Sequence, residues 1–466
     1  MTVSWRASSG RSLHRVRRGL GTMVRRSLMT ALIAVGSVSS SPVAAQAVTP
    51  AGQGAPRPEE PPKVAAGNSP LMVSATYIGQ AAGNPRGGLR RDAAYAGRIL
   101  ISSQLDLDRF IGVPGAVLHV WFTNRQGSNL ADLALGTSTG VQEIYSPQTS
   151  HLSVLAYEQA LFGRRLELEA GRTPANVSFF SSALCYHLQT NSACGSPTFL
   201  FKTSNLTYFP PSSWGARAKA RLGGGSYVQV GVYEVNPDRT RPEATGLEWS
   251  VKNATGVIVP FQFSHSTTFR HADRPGTYEI GGWYDAAAYR DPVEDEAGEV
   301  AVVSGRPYAT RYGRSGTYVS ADQVVWRSTS DPERSLRLFG LIMVKLSGRV
   351  VEDHFLQFGL LHAGTLPRRR TDTIAFVIND QAFSRLALRT IRAARASLGD
   401  AGELPRHQIM MELAYGAQVI ERLRISPNIH CIVNPDQLGD PFRTSRVRTV
   451  FAIGLKFTVE IPLLRE

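Results

Sequence analysis

Cysteine is scarce in this chain, with Cys185, Cys194 and Cys431 the only three in 466 residues. No Cys-x-x-Cys pair exists, and the sequence also lacks a His-Glu-x-x-His helix, a Gly-x-Ser-x-Gly elbow and a phosphate-binding glycine loop followed by Lys-Ser/Thr. His151, His187, His265, His271 and His354 are scattered, so an enzymatic reading has no constellation to stand on, and no metal or cofactor is expected. Nothing resembles a helix-turn-helix, a zinc finger or an RNA-binding signature, which excludes nucleic acid as the expected partner. Past residue 47 there is no apolar run near the ~20 residues that a spanning helix needs. A chain with these absences crosses lipid, if it crosses at all, as a closed barrel.

Acid is absent from the N-terminus. Seven arginines, Arg6, Arg11, Arg15, Arg17, Arg18, Arg25 and Arg26, precede the apolar stretch Leu28 to Val38 and the small residues Val43-Ala44-Ala45-Gln46-Ala47. Residues 1–47 are expected to be a secretory signal, cleaved after Ala45 or Ala47. The whole chain carries 51 basic and 37 acidic residues, a net +14; without the seven arginines the balance falls to 44 against 37, or +7. Half of the positive charge therefore concerns targeting.

Residues 48–70 are rich in Pro, Gly and Ala and are expected to form a disordered tether ahead of a single domain, 71–466. Cys185 and Cys194 lie nine positions apart in polar sequence, where a disulfide suits an exported protein, the alternative being two free thiols. Cys431 falls on the apolar register with Ile429 and Val433 and reads as a small hydrophobe.

The domain is dominated by alternation. Strands are expected over 115–122, 151–161, 164–172, 226–235, 277–289, 335–346, 354–364, 410–435 and 446–464, bounded by Gly, Pro, Asn and Ser. In the last, Thr449, Phe451, Ile453, Leu455, Phe457, Val459 and Ile461 share one face, and Arg448, Val450, Ala452, Gly454, Lys456, Thr458 and Glu460 the other. In 410–435, Met411, Leu413, Tyr415, Ala417 and Val419 oppose Met410, Glu412, Ala414, Gly416 and Gln418. Such alternation suits a soluble sandwich or a membrane barrel equally. Three features favour the barrel: runs of about ten residues, the length a tilted spanning strand requires; aromatics near strand ends (Trp121 with Phe122, Tyr233, Trp283 with Tyr284, Tyr289, Phe457); and the missing apolar helix. Four local features qualify the pattern. Pro427 should mark a bulge or strand end. Gly223-Gly224-Gly225 reads as a tight turn and 367–370 as a solvated one, while Arg385, Arg389, Arg392 and Arg395 have the spacing of one basic helical face, whose apolar neighbours Leu388, Ile391 and Leu398 need a partner.

The stretch 194–237 carries Tyr208, Pro210, Ser212, Trp214, Gly215, Ala216 and Arg217, then Tyr227, Gly231, Val232, Tyr233, Glu234, Asn236 and Pro237. It closely resembles the carbohydrate-selective porins of the OprB family. Residues 157–185, with Gly171 and Arg172, and the 410–435 stretch with its proline are similar to other segments of that family, so the resemblance runs from about residue 95 to 460. It implies an all-β, transmembrane antiparallel β-barrel of about sixteen strands with long extracellular loops, set in outer-membrane lipid of a bacterial cell, passing small sugars by diffusion as a monomer or a homotrimer. Departures are a partial N-terminal motif, reduced to Gly87 and Gly88, and an end, "IPLLRE", without the usual aromatic. A sugar-selective constriction needs hydrogen-bonding side chains beside aromatic rings. The candidates are Arg98, Glu158, Arg172, Trp214 and Arg217, all assigned to the register that faces away from lipid; otherwise each is part of a solvated wall. The alternatives are a general or anion-selective porin, and a secreted sugar-binding β-protein.

Overall fold

The computed structural model describes residues 69–464 apart from 147–149, 194–196, 270 and 332. The expected signal, almost all of the expected tether, and Cys194 with its disulfide lie outside the described residues. The strands are β1 (Leu71–Gly88), β2 (Ala93–Asp106), β3 (Ala116–Gly127), β4 (Ser150–Leu161), β5 (Leu166–Thr173), β6 (Ser213–Gly223), β7 (Ser226–Val235) and β8 (Gly256–Ser266). They continue as β9 (Gly276–Asp295), β10 (Tyr308–Arg327), β11 (Ser335–Ser347), β12 (Glu352–Ala363), β13 (Thr373–Phe383), β14 (His407–Ile420), β15 (Leu423–Val433) and β16 (Arg448–Leu464). Each pairs antiparallel with its sequence neighbours, and β16 pairs back onto β1, closing the barrel. Closure leaves no unpaired edge, which is what hydrocarbon demands of a sheet.

Polarity is inverted relative to a dry core. On β16, Phe451, Ile453 and Leu455 are 45%, 57% and 42% exposed, whereas Ala452 and Lys456 are buried at 1% and 2%. On β14, Leu413 faces out while Gln408, Met410, Glu412, Ala414 and Gly416 are buried inward. Each outward Leu or Ile gains about 1.5–3 kcal/mol on leaving water for an apolar medium, and a lysine on the lipid face at the midplane costs about 2–4 kcal/mol. A one-residue slip would exchange Leu455 for Lys456, so the sequence pins its register.

Connections alternate between the two ends. One end has the short turns 162–165, 224–225 and 421–422; the other has 128–149, 174–212, 236–255 and 384–406. The short turn 224–225 depends on glycine: Gly223, Gly224 and Gly225 all have positive φ, at 88°, 58° and 82°. At the other end Gly87, with φ 82°, lets β1 approach β16 so closely that a Cβ would sit 2.0 Å from the Thr449 carbonyl oxygen.

Three expectations are corrected. Trp121, Tyr233, Trp283 and Tyr289 do not face lipid but are buried inward, because neighbours alternate: it is Phe122 and Tyr284 that point out. Pro427 does not break its strand. β15 runs through it, paired to Leu455 of β16, and on the β14 side the ladder skips Ser426 and Pro427 while keeping the register from Ala414↔Asn428 to Ala417↔Ile425. The helix Arg385–Ala396, capped by Ser384, exposes Arg385, Arg389 and Arg392, but Arg395 leaves that basic face: it is buried and donates to Asp400 at 2.6 Å, while Leu388 and Ile391 are buried as their spacing required and Leu398 is exposed.

Candidate channel and constriction

The connection 174–212 leaves the rim and folds into the bore. It carries Phe179, Phe180 and Phe199, whose natural neighbours are the inward aromatics of the wall: Phe179 meets Tyr233 at 6.2 Å between ring centroids, Phe180 meets Trp283 at 5.8 Å and Tyr318 at 5.3 Å, and Phe199 meets Trp283 at 6.2 Å. This apolar attachment holds the loop against β7, β9 and β10. Farther along, polar contacts strap it to the opposite strands. The Glu412 carboxylate of β14 accepts from the backbone amides of Gln189 and Thr190, both at 2.8 Å. Lys456 of β16 donates to the Leu188 carbonyl at 2.9 Å and to that of Cys185. Asn428 donates to Gln189 Oε1 at 2.9 Å and Asn379 to Ser192 Oγ at 2.9 Å. Lys202 reaches Glu352 at 2.6 Å, and Asp285 accepts from the Asn205 amide at 2.8 Å. A second inward segment lies alongside: Gln142 donates to the Gln80 carbonyl at 2.9 Å, and Glu143 lies 3.7 Å from Lys456.

Three of the five candidate residues face the bore. Arg98 of β2 and Arg125 of β3 are cross-strand partners that both approach the Phe209 ring of the inward loop, with guanidinium carbons 5.3 and 5.8 Å from its centroid. Arg98 is 2% exposed and its Nε has no hydrogen-bond partner among the described residues. Glu158, Glu169 and Arg217 form one inward row across β4, β5 and β6. Arg217 Nη2 is 2.9 Å from Glu169 and 3.8 Å from Glu158, so the arginine offsets the repulsion of the two facing carboxylates. His119 and Arg164 each approach Glu158 at 3.6 Å. The row is amphoteric, offering hydrogen-bond donors and acceptors within a few ångströms, which is what a sugar hydroxyl uses.

Arg172 and Trp214 go the other way. They are paired with each other, and their rows, Leu155↔Arg172↔Trp214, lie next to the inward row Ala156↔Gly171↔Gly215↔Tyr233, so they sit on the outward face at the long-loop rim. Register parity, not solvent, decides this: Arg172 shares its face with Leu168, and Trp214 with Ala216. Arg172 is nevertheless 0% exposed, because the connection 236–255 lies over it. Its guanidinium donates to the Glu248 carbonyl at 2.7 Å and the Ser212 carbonyl at 2.8 Å, between the rings of Trp214 and Trp249 at 5.8 and 5.5 Å. Beside it, Arg239 pairs with Glu234 at 3.1 Å. The Glu248 carboxyl, which burial would push up, is instead held at about 2 by hydrogen bonds from the Thr245 amide and hydroxyl and the Gly246 amide. These two residues brace the barrel from outside.

Arg125, Phe209, Glu412 and Lys456 were not among the sequence candidates. Glu412 and Lys456 were legible as inward-facing charges, but their partners on the loop were not.

The sequence model of the carbohydrate-selective porin, OprB family matches residues 90–461. Porin B of Pseudomonas aeruginosa is 28% identical over 398 residues, covering 80% of this chain and 86% of its own length. The putative porin QuiX of Acinetobacter baylyi is 22% identical over 382 residues, covering 78% of this chain and 84% of its own. Among solved structures, OprB of Pseudomonas putida at high pH superposes with a TM-score of 0.75 at 25% identity, covering 84% of this chain and 94% of that one. A closed sixteen-stranded barrel with an apolar exterior and a polar, loop-narrowed interior, matched along four-fifths of its length, makes this chain a porin of the bacterial outer membrane that belongs to the carbohydrate-selective porin, OprB family.

Proposed function

We propose that selection among solutes happens where the 174–212 loop narrows the bore, with the half-buried Arg217–Glu158–Glu169 row as the surface a small sugar meets and the buried Arg98, Arg125 and Phe209 fixing the loop to the wall. The observation that carries this is the row of facing donors and acceptors on one inner wall, where Arg217 and the two carboxylates can serve a sugar's hydroxyls. Such contacts are individually weak, as conduction requires. The solute passes unchanged, with no covalent step. Residues 1–47 direct export and are removed, residues 48–70 form a tether, and outer-membrane lipid surrounds the wall. One chain closes the barrel, so a monomer suffices for passage and a homotrimer would be three parallel pores. Porin B and OprB of the two pseudomonads support this reading by name and likeness.

A second reading, preference for anions, is favoured by the unpaired Arg98 Nε beside Arg125. Planar-bilayer recording decides. Sugar added to the bath should reduce the potassium chloride current in a saturable way, and Arg217→Ala should weaken that block several-fold. A current indifferent to sugars, with a reversal potential set by chloride, would sink the carbohydrate assignment of this constriction.

A further inference from the structure

We propose that the outer wall of the barrel, at the long-loop rim, carries a binding site for a divalent transition-metal ion formed by His354, Asp380 and His407. The three come from adjacent strands β12, β13 and β14, where the register pairs His354 with Ala382, Ala382 with His407 and Leu356 with Asp380. One nitrogen from each histidine and one carboxylate oxygen lie within 4.8 Å of one another. His407 Nδ1 is 2.9 and 3.0 Å from the two Asp380 oxygens, and the imidazole centroids of His354 and His407 are 6.0 Å apart. All three face outward: the alternate positions Phe355, Gln381 and Gln408 are buried inside. The site is therefore separate from the bore.

The chemistry of this donor set is specific. Two imidazoles and one carboxylate suit Zn²⁺, Cu²⁺ or Ni²⁺, whereas Mg²⁺ and Ca²⁺ prefer oxygen alone. With bonds of ~2.0–2.2 Å, a tetrahedral ion asks its ligands to stand about 3.3 Å apart, so small side-chain rotations bring this set into range. The ion takes the place of the His407–Asp380 contact and draws in His354. Strands fix the three backbones, so little ordering remains for binding to supply, and water fills the fourth position.

The test uses the purified barrel in detergent, carrying Cys431→Ser so that the lone described thiol cannot compete. Titration calorimetry with ZnCl₂ should show one equivalent per chain at micromolar affinity. His354→Ala and His407→Ala should each weaken it at least about tenfold, and Asp380→Asn should weaken it as well, while heat-modifiable migration shows the barrel folded and single-channel conductance is unchanged. Visible absorption of the Co²⁺-loaded protein should report low coordination number and vanish in the double histidine variant. No uptake by the parent barrel, equal uptake by the double variant, or uptake only with dimerisation would each overturn the site.

Discussion

The connections 174–212 and 236–255 leave the same rim one hairpin apart, and one enters the bore while the other covers the outside. Their compositions differ in a way that accounts for it. Of the 39 residues in the first, Lys202 alone is charged; of the 20 in the second, Asp238, Arg239, Arg241, Glu243, Glu248 and Lys252 are. The inward loop is aromatic and carries a single charge, so its charged anchors come from the wall: Glu412, Lys456 and Asp285 hold its backbone, and Glu352 pairs with Lys202. The outward loop brings its own charge: its Arg239 pairs with Glu234 of the wall and its Glu248 carbonyl accepts from Arg172, while Leu247, Trp249 and Val251 are left to the surroundings. A loop's destination is thus set by which partner holds the buried charge.

The largest effect should come from releasing the inward loop. Glu412→Ala removes the acceptor of two buried amides, and each orphaned donor costs about 1–3 kcal/mol. The loop should then lift from β14, at least doubling single-channel conductance and weakening sugar block, with the barrel still heat-modifiable. Unchanged conductance would show that the aromatic attachment and the remaining polar straps hold the loop without Glu412.

Arg172→Ala should do the reverse. The carbonyls of Glu248 and Ser212 lose their shared donor and the two indoles their cation, so stability should fall by about 2–3 kcal/mol, read as a lower unfolding midpoint in denaturant. Protease should cut within 236–255 sooner, and conductance should stay as it was. A change in conductance would return Arg172 to the bore.

The fold was legible because strand alternation is local: "TVFAIGLKFTV" states its own two faces, and the triple glycine its own turn. The bore was only half legible. Glu412 meets Gln189 across 223 positions, a contact that closure of the barrel creates and no periodicity announces. For Arg172 and Trp214 the signal was present and outweighed by residue type. Arg172 stands two places after Ala170 and four after Leu168, and Trp214 two before Ala216, so parity put both on the lipid face despite one being charged. Charge on that face was tolerable because a loop forty positions or more downstream in the chain covers it.

Acid should loosen the outer loop. Glu248 titrates at about 2 in the folded loop against 4.5 for the free side chain. A depressed carboxyl contributes stability that is fully present above about pH 4.5 and is lost as pH falls toward 2. Trp249 emission in detergent should therefore shift to the red across that window, and Glu248→Gln should remove the pH dependence. A shift centred above pH 5 would point to another group.

The smallest change separates packing from charge within the same cluster. Trp249 stacks beside Arg172, and its carbonyl accepts from the Trp214 indole N–H at 3.1 Å. Trp249→Ala keeps that carbonyl and every hydrogen bond of Arg172, and removes only the ring. The loss should be about 1 kcal/mol, the range of a partly exposed cation–π contact, well below that of Arg172→Ala. If the two variants lose equally, the ring and not the hydrogen bonds holds the loop down, and the contrast between a loop anchored by its own charges and one anchored by the wall fails on its outer side.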